Sequence, residues 1–217
     1  MKTVIEKITP IREGEAVIVS LSLSDGVHEE KCKHEIATDL FLDMGFPLSS
    51  GDGIEIIQDG YEEIIDAAEL TSAIKKGADL IGFAQNTKKS LVLKLLHKGF
   101  SKDISVRAAD YLENVGYINE REQAEELFAD LAERRLYGPS RIRNELYKKG
   151  FSEDVINVTM QAELDFDEIL AERIRRTVNL SDFADKAKRQ KEIASLMRYG
   201  FSVGNIKNAL IILKDEQ

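Results

Sequence analysis

The sequence is poor in the residues that cross-link small domains or interrupt regular structure. A single cysteine, Cys32, rules out a disulfide bond within the chain and favours a reducing compartment. Only 3 of the 217 residues are proline and 43% are hydrophobic, which excludes a disordered or collagen-like chain. No apolar run approaches the roughly 20 residues that span a bilayer, and the N-terminus has no signal-peptide stretch. We therefore expect a cytoplasmic protein that does not enter a membrane.

Acidic and basic residues are unevenly distributed along the chain. Residues 1–85 contain 7 Lys and Arg against 17 Asp and Glu, whereas residues 86–217 contain 23 against 22. An acidic segment is thus followed by a nearly neutral one that contains local basic runs. Because no broad basic field exists, avid nonspecific binding of DNA by the whole molecule is not expected.

The first 60 residues have the pattern of a small antiparallel sheet. Residues 3–8 and 16–23 are rich in β-branched side chains, and the turn signal Asp25-Gly26 predicts a hairpin with the segment after it. A short helix is predicted over residues 35–44. A turn at 49–53, which does not have the Gly-Lys-Ser/Thr ending of a phosphate-binding loop, leads into a last strand at 54–57. These elements predict a strand-rich domain over residues 1–62.

From about residue 62 the hydrophobic period changes to 3.6, which predicts helices to the end of the sequence. A Gly-Phe-Ser motif recurs there, beginning at Gly99, Gly150 and Gly200. Glycine supplies the left-handed residue that ends one helix and serine caps the next, so each motif predicts a corner between two helices. Helices are predicted over residues 67–84, 88–98, 102–115, 120–136, 140–149, 153–164, 166–178, 184–199 and 203–213.

Self-similarity at a period of this size indicates tandem helical units. We assign three three-helix repeats to residues 63–118, 119–164 and 165–217. The predicted fold class is α+β, with a small strand-rich N-terminal domain followed by an all-α array of three tandem three-helix repeats. Because the two parts differ in charge and in period, a fragment of residues 67–217 is expected to stay helical and monomeric.

Candidate catalytic or metal-binding groups are few. His28, Cys32 and His34 lie within seven residues, but a structural zinc site needs four ligands, so ordinary strand and loop residues are the favoured interpretation. The carboxylates of the helices are spaced as on a solvated face, and no fixed pair of acid and base can be named. The sequence predicts no enzyme, no metal and no cofactor.

Basic residues cluster near the second helix of each predicted repeat. Between residues 134 and 149 there are six Lys and Arg against one acid, Glu145. A solvated helix end explains any single cation, but we interpret the group as an interaction surface, since arginine suits contacts with carboxylate or phosphate. Stacked repeats would align the basic patches in a discontinuous stripe. The predicted partner-binding residues are Arg134, Arg135, Arg141, Arg143, Lys148, Lys149, Lys88, Lys89, Lys94, Lys98, Lys188 and Arg189.

The middle of the chain resembles a known family. Residues 116–120 (Gly-Tyr-Ile-Asn-Glu), the pair Arg134-Arg135 and the run 138–150 (Gly-Pro-Ser-Arg-Ile-Arg-Asn-Glu-Leu-Tyr-Lys-Lys-Gly) are similar to the RecX family. The most specific part is Gly-Pro-x-Arg-Ile-x-x-Glu-Leu-x-x-Lys-Gly, and the resemblance covers residues 67–213. The chain departs from the family pattern at three positions: Asn86 and Ser90 replace the usual Arg and Glu, and Gln123 replaces an aromatic residue.

The resemblance implies a regulator of the RecA recombinase, and with it homologous recombination, DNA repair and the SOS response. It implies a monomer that lies along the groove of a RecA–DNA filament, meets DNA through that filament, and limits filament growth, ATP hydrolysis and strand exchange. The alternative left open is a nucleic-acid-binding helical protein that acts directly on DNA through its corners. The near-neutral helical part and the few aromatic residues count against that alternative.

Overall fold

The protein consists of an N-terminal sheet followed by a series of helices, which confirms the predicted fold class. The computed structural model describes residues 2–48 and 53–216. The strands are β1 (Lys2–Ile11), β2 (Ala16–Ser24), β3 (Glu29–Ala37) and β4 (Ile54–Ile56). The α-helices are α1 (Thr38–Asp43), α2 (Gln58–Phe83), α3 (Lys88–His97), α4 (Lys102–Asn114), α5 (Glu120–Ala129), α6 (Pro139–Lys149), α7 (Glu153–Thr159), α8 (Phe166–Thr177), α9 (Lys186–Arg198) and α10 (Val203–Asp215).

Three short segments complete the secondary structure. A π-helical turn, Asp130–Arg134, extends α5, and 3-10 turns are formed by Arg12–Gly14 and Leu180–Phe183. The turn predicted over residues 49–53 lies, apart from Gly53, outside the described residues.

The four strands form an antiparallel sheet in the order β3-β2-β1-β4. Alternate side chains of an antiparallel strand point to one face, so Ile5, Val19 and Leu21 are all buried on the same side. Phe41 of α1 and Ile64 of α2 complete this core. The predicted hairpin turn is confirmed, because the Asp25 carboxylate accepts hydrogen bonds from the next backbone amides.

Two predicted boundaries are wrong. The helix expected over residues 35–44 is shorter, because residues 35–37 belong to β3, where Ile36 pairs with Val17 of β2. The first long helix was expected from residue 67, but α2 already begins at Gln58 and packs Ile64 and Ala67 against the sheet. The boundary predicted between residues 62 and 63 falls inside α2. A fragment that begins at residue 67 would remove part of the sheet core.

The three corners are confirmed in detail. Gly99, Gly150 and Gly200 have φ values of +97°, +94° and +95°, the left-handed conformation that ends a helix. The serine two residues later caps the next helix in every repeat, as when Ser152 Oγ accepts from the backbone amide of Val155.

By its internal contacts the chain divides into two compact units. The N-terminal unit reaches Asn86 and includes Leu91–Tyr117, whereas the C-terminal unit contains Thr87–Ser90 and the chain from Ile118 onward. Two apolar cores lie in the C-terminal unit, one in each of its predicted repeats. Over the described ranges no helix combines the length and hydrophobicity that crossing a membrane requires.

Leu146 supports the core of the second predicted repeat, so the Leu146→Ala variant is expected to be strongly destabilised. The side chain is fully buried, and emptying such a site costs about 2–5 kcal/mol. Urea unfolding followed by far-ultraviolet circular dichroism measures the loss. The neighbouring Tyr147, 43% exposed, provides the control, and an equal loss in Tyr147→Ala would contradict this assignment of the buried face.

Candidate protein-binding surface

Arg134 and Arg135 share one carboxylate. The guanidinium nitrogens of Arg134 and Arg135 lie 3.1 and 3.0 Å from the two carboxylate oxygens of Asp130. All three residues are at the π-helical end of α5, and both arginines are exposed. Exposed ion pairs contribute only about 0–1 kcal/mol, so a partner carboxylate could replace Asp130 at little cost.

Arg141 and Arg143 point away from each other, as their spacing on α6 predicts. The guanidinium carbon of Arg141 lies 4.0 Å from the ring centre of Tyr137 and 5.0 Å from that of Tyr199. Arg143 donates instead to the side-chain oxygen of Asn157 on α7, at 2.9 Å. Arg141 therefore contributes to packing inside the C-terminal unit, whereas Arg143 has only a neutral surface partner.

The last two cations of α6 are exposed at the helix end. Lys148 lies 3.0 Å from the carboxylate of Glu145. For the Lys149 ammonium, no carboxylate of the described chain is within 4.0 Å, and the Lys149 carbonyl accepts a 3.1 Å hydrogen bond from the Thr87 hydroxyl. Lys149 and Arg143 are thus the cations of this cluster without an acidic partner among the described residues.

The second and third repeats meet through two glycines, at a contact that we call the Gly138–Gly200 joint. The backbone amide of Gly138 donates to the Tyr199 carbonyl at 2.8 Å, and that of Ser140 donates to the Gly200 carbonyl at 3.2 Å. The unsatisfied amides at the start of α6 thus meet the unsatisfied carbonyls at the end of α9. A Cβ on Gly138 would lie 2.4 Å from the Gly200 carbonyl carbon, so only glycine permits this approach.

A buried arginine braces the same joint. Arg173 on α8 is 9% exposed, and its guanidinium carbon lies 3.2 Å from the ring centre of Tyr199. One guanidinium nitrogen of Arg173 donates to the carbonyls of Arg135 and Leu136, at 3.2 and 3.3 Å. Burial lowers the pKa of the Arg173 guanidinium. Leu136 has a φ of +52°, and this guanidinium helps to hold that strained residue in place.

Arg173 holds this arrangement through shape as well as charge, so Arg173→Lys is expected to destabilise the C-terminal unit. An ammonium cannot stack on Tyr199 and bridge two carbonyls together, and unsatisfied buried acceptors cost about 1–3 kcal/mol. Urea unfolding measures the effect. The matched control is Arg176→Lys, because Arg176 is exposed and paired with Glu172. Equal stability of the two variants would contradict a bracing role.

The basic residues predicted for the first repeat are divided between the two units. Lys88 and Lys89 belong to the C-terminal unit, and Lys94 and Lys98 to the N-terminal one. The Lys94 ammonium donates to the side-chain oxygen of Asn86, a buried amide that in turn donates to two backbone carbonyls near the end of α2. The departure from the family pattern at Asn86 therefore has a structural role.

In the third repeat the predicted cations lie on α9. Lys188 lies 2.9 Å from the Asp182 carboxylate. Arg189 is exposed beside a groove that also includes Lys207 and Lys214 of α10.

His28, Cys32 and His34 do not form a site. His28 lies in the hairpin turn, and Cys32 and His34 lie on β3. Burial raises the pKa of the Cys32 thiol, which disfavours the reactive thiolate. Burial also lowers the pKa of His34. In the part of the chain that the structure describes, no three His, Cys, Asp or Glu side chains are grouped as metal ligands.

Comparisons with known proteins converge on one family. A family model described as RecX, second three-helix domain, matches residues 119–160. Regulatory protein RecX of Caldanaerobacter subterraneus subsp. tengcongensis is 28% identical over 169 residues, which is 76% of this chain and 82% of that protein. Regulatory protein RecX of Clostridioides difficile is 26% identical over 178 residues, 79% of this chain and 82% of that protein. The chain belongs to the RecX family.

Solved RecX structures have the same fold. A crystal structure of regulatory protein RecX superposes with a TM-score of 0.72 at 19% identity, covering 94% of this chain and 97% of that one. RecX from Lactobacillus salivarius gives a TM-score of 0.56 at 20% identity, covering 67% of this chain and 97% of that one. The matched RecX domain contains the second-repeat cluster from Arg134 to Lys149.

Sequence reasoning missed the residues that hold the joint and those that line the groove. Tyr137, Arg173 and Tyr199 come together across 36 to 62 residues of chain, and no local pattern indicates that they meet. Lys207 and Lys214 are different, because their spacing on one helix face is visible in the sequence. Their proximity to the 3-10 turn Leu180–Phe183 is not.

Proposed function

We propose that this RecX-family chain regulates the RecA recombinase as an inhibitor in the cytoplasm. It binds along the groove of the RecA–DNA filament and limits filament growth, ATP hydrolysis and strand exchange, by binding and without catalysis of its own. Membership of a family whose curated relatives are named regulatory protein RecX supports the regulatory role. RecA itself enters through the family resemblance.

One observation of the structure carries the binding mode. Arg143 and Lys149 project from α6 outside the apolar core and without an acidic partner among the described residues. The Gly138–Gly200 joint fixes α6 against the end of α9 in one compact unit. Cations on a rigid scaffold lose little freedom on binding, which favours a multi-point contact with a repeating partner.

The test is the DNA-dependent ATPase activity of RecA during titration with the full chain. We expect the rate to fall toward zero as the chain saturates the filament. Excess single-stranded DNA that carries no RecA serves as competitor, and an unrelated ATPase in the same coupled assay serves as control. No change in the RecA rate would contradict the proposal. Inhibition that disappears when competitor DNA is added would favour the alternative, direct binding to DNA.

A further inference from the structure

The third repeat carries a groove that is apolar inside and basic at its rim. Its volume is about 420 Å³, within the range of sites that hold ligands or peptide side chains. The turn Leu180–Phe183 forms one side, and Leu210 and Ile211 of α10 form the other. Ile211 is 48% exposed, so an apolar surface remains open to solvent at this place.

Three cations surround this apolar surface. Lys207, Ile211 and Lys214 are spaced i, i+4 and i+7, which places them in one stripe along α10. Arg189 of α9 also lines the groove. All three basic side chains are exposed, so each keeps its charge in solution.

These cations have no acidic partners of their own. Among the described residues no carboxylate oxygen lies within 4.0 Å of Arg189, Lys207 or Lys214. The arginines of α8 differ, since Arg175 and Arg176 are both paired with Glu172. The groove therefore combines open apolar area with positive charge that the described chain does not neutralise.

We propose that this groove binds an acidic segment of a partner protein. Apolar side chains of the segment enter between α10 and the turn Leu180–Phe183, and its carboxylates contact Arg189, Lys207 and Lys214. Charge complementarity selects such a segment, because apolar anchors supply affinity while flanking charges supply orientation and specificity. The inference does not depend on RecA being the regulated partner.

The same chemistry disfavours other occupants. Phosphates of a nucleic acid would meet the cations, but the apolar floor offers them no partner and Phe183 is its one aromatic ring. Membrane-surface proteins insert protruding apolar side chains, whereas the apolar residues here line a recess. A protein segment can satisfy both the floor and the rim.

Selection from a phage-displayed library of short random peptides tests the proposal on the full chain. We expect the enriched peptides to combine apolar residues with Asp or Glu. The most enriched peptide, labelled with fluorescein, should bind at least about tenfold more weakly to Ile211→Glu and to the double variant Lys207→Glu/Lys214→Glu. The matched control is Lys186→Glu/Lys191→Glu, which makes the same charge change on exposed residues of α9 that do not line the groove.

Several results would overturn the proposal. They are the absence of enriched peptides, enriched peptides without acidic residues, and equal affinity for the parent and the Ile211→Glu variant. Binding to anionic phosphatidylglycerol vesicles or to a labelled oligonucleotide that disappears in the groove variants would assign the groove to a membrane or to nucleic acid. Self-association that disappears in Ile211→Glu, seen by analytical ultracentrifugation, would assign it to a second copy. Because RecA is absent from these measurements, their failure leaves the proposed function untouched.

Discussion

The Gly200→Ala variant is expected to lose about 2–4 kcal/mol of unfolding free energy. Gly200 has a φ of +95°, which an alanine adopts only under strain. The added Cβ would also lie 2.4 Å from the Arg141 backbone nitrogen. A backbone atom in a helix cannot move aside as a flexible side chain can, so the joint between the two repeats must open.

Two other glycines separate the causes of this loss. Gly138→Ala has an ordinary φ of −80° and tests crowding alone, with an expected loss of about 1–3 kcal/mol. Gly150→Ala has a φ of +94° but meets only the mobile Thr87 hydroxyl, at 3.1 Å, so about 1 kcal/mol is expected. Urea unfolding of all three variants gives the order. A Gly138→Ala variant as stable as the parent would show that the two backbones do not approach closely.

Reversing the exposed charges of the second repeat is expected to abolish most of the inhibition of RecA. In the triple variant Arg143→Glu/Lys148→Glu/Lys149→Glu, like charges would face the acidic or phosphate groups of the partner. We expect the concentration for half-maximal inhibition of the RecA ATPase to rise at least about tenfold, equivalent to about 1.4 kcal/mol. Arg141 is left unchanged, because its contacts with Tyr137 and Tyr199 make it part of the packing.

The control for this triple variant makes the same change of charge elsewhere. Lys7, Lys33 and Lys102 are exposed residues of the N-terminal unit, and replacing all three by Glu should leave inhibition within about twofold of the parent. Both variants should keep their melting temperature within a few degrees, since exposed charges contribute little to stability. If the triple variant is folded and inhibits as well as the parent, the basic surface of the second repeat is not the contact.

The residues of the proposed contact illustrate how far a sequence can predict a surface. The cluster between residues 134 and 149 was evident from composition, and the opposite directions of Arg141 and Arg143 followed from their spacing on one helix. The sequence did not indicate that Asp130 neutralises Arg134 and Arg135, because the π-helical turn brings them together. Nor did it indicate that Lys94 is held by Asn86.

The corners and the hairpin turn were determined by the sequence alone, since each depends on residues that are at most four positions apart. A left-handed glycine, a capping serine and an Asp-Gly turn act on their immediate neighbours. The start of α2 was decided by packing of Ile64 on strands that lie 43 to 59 residues earlier in the chain. The Gly138–Gly200 joint, the bracing of Arg173 and the groove beside α10 likewise join distant segments. Only the tertiary structure decides such contacts, because the apolar burial and hydrogen bonding that stabilise them arise after the chain has brought those segments together.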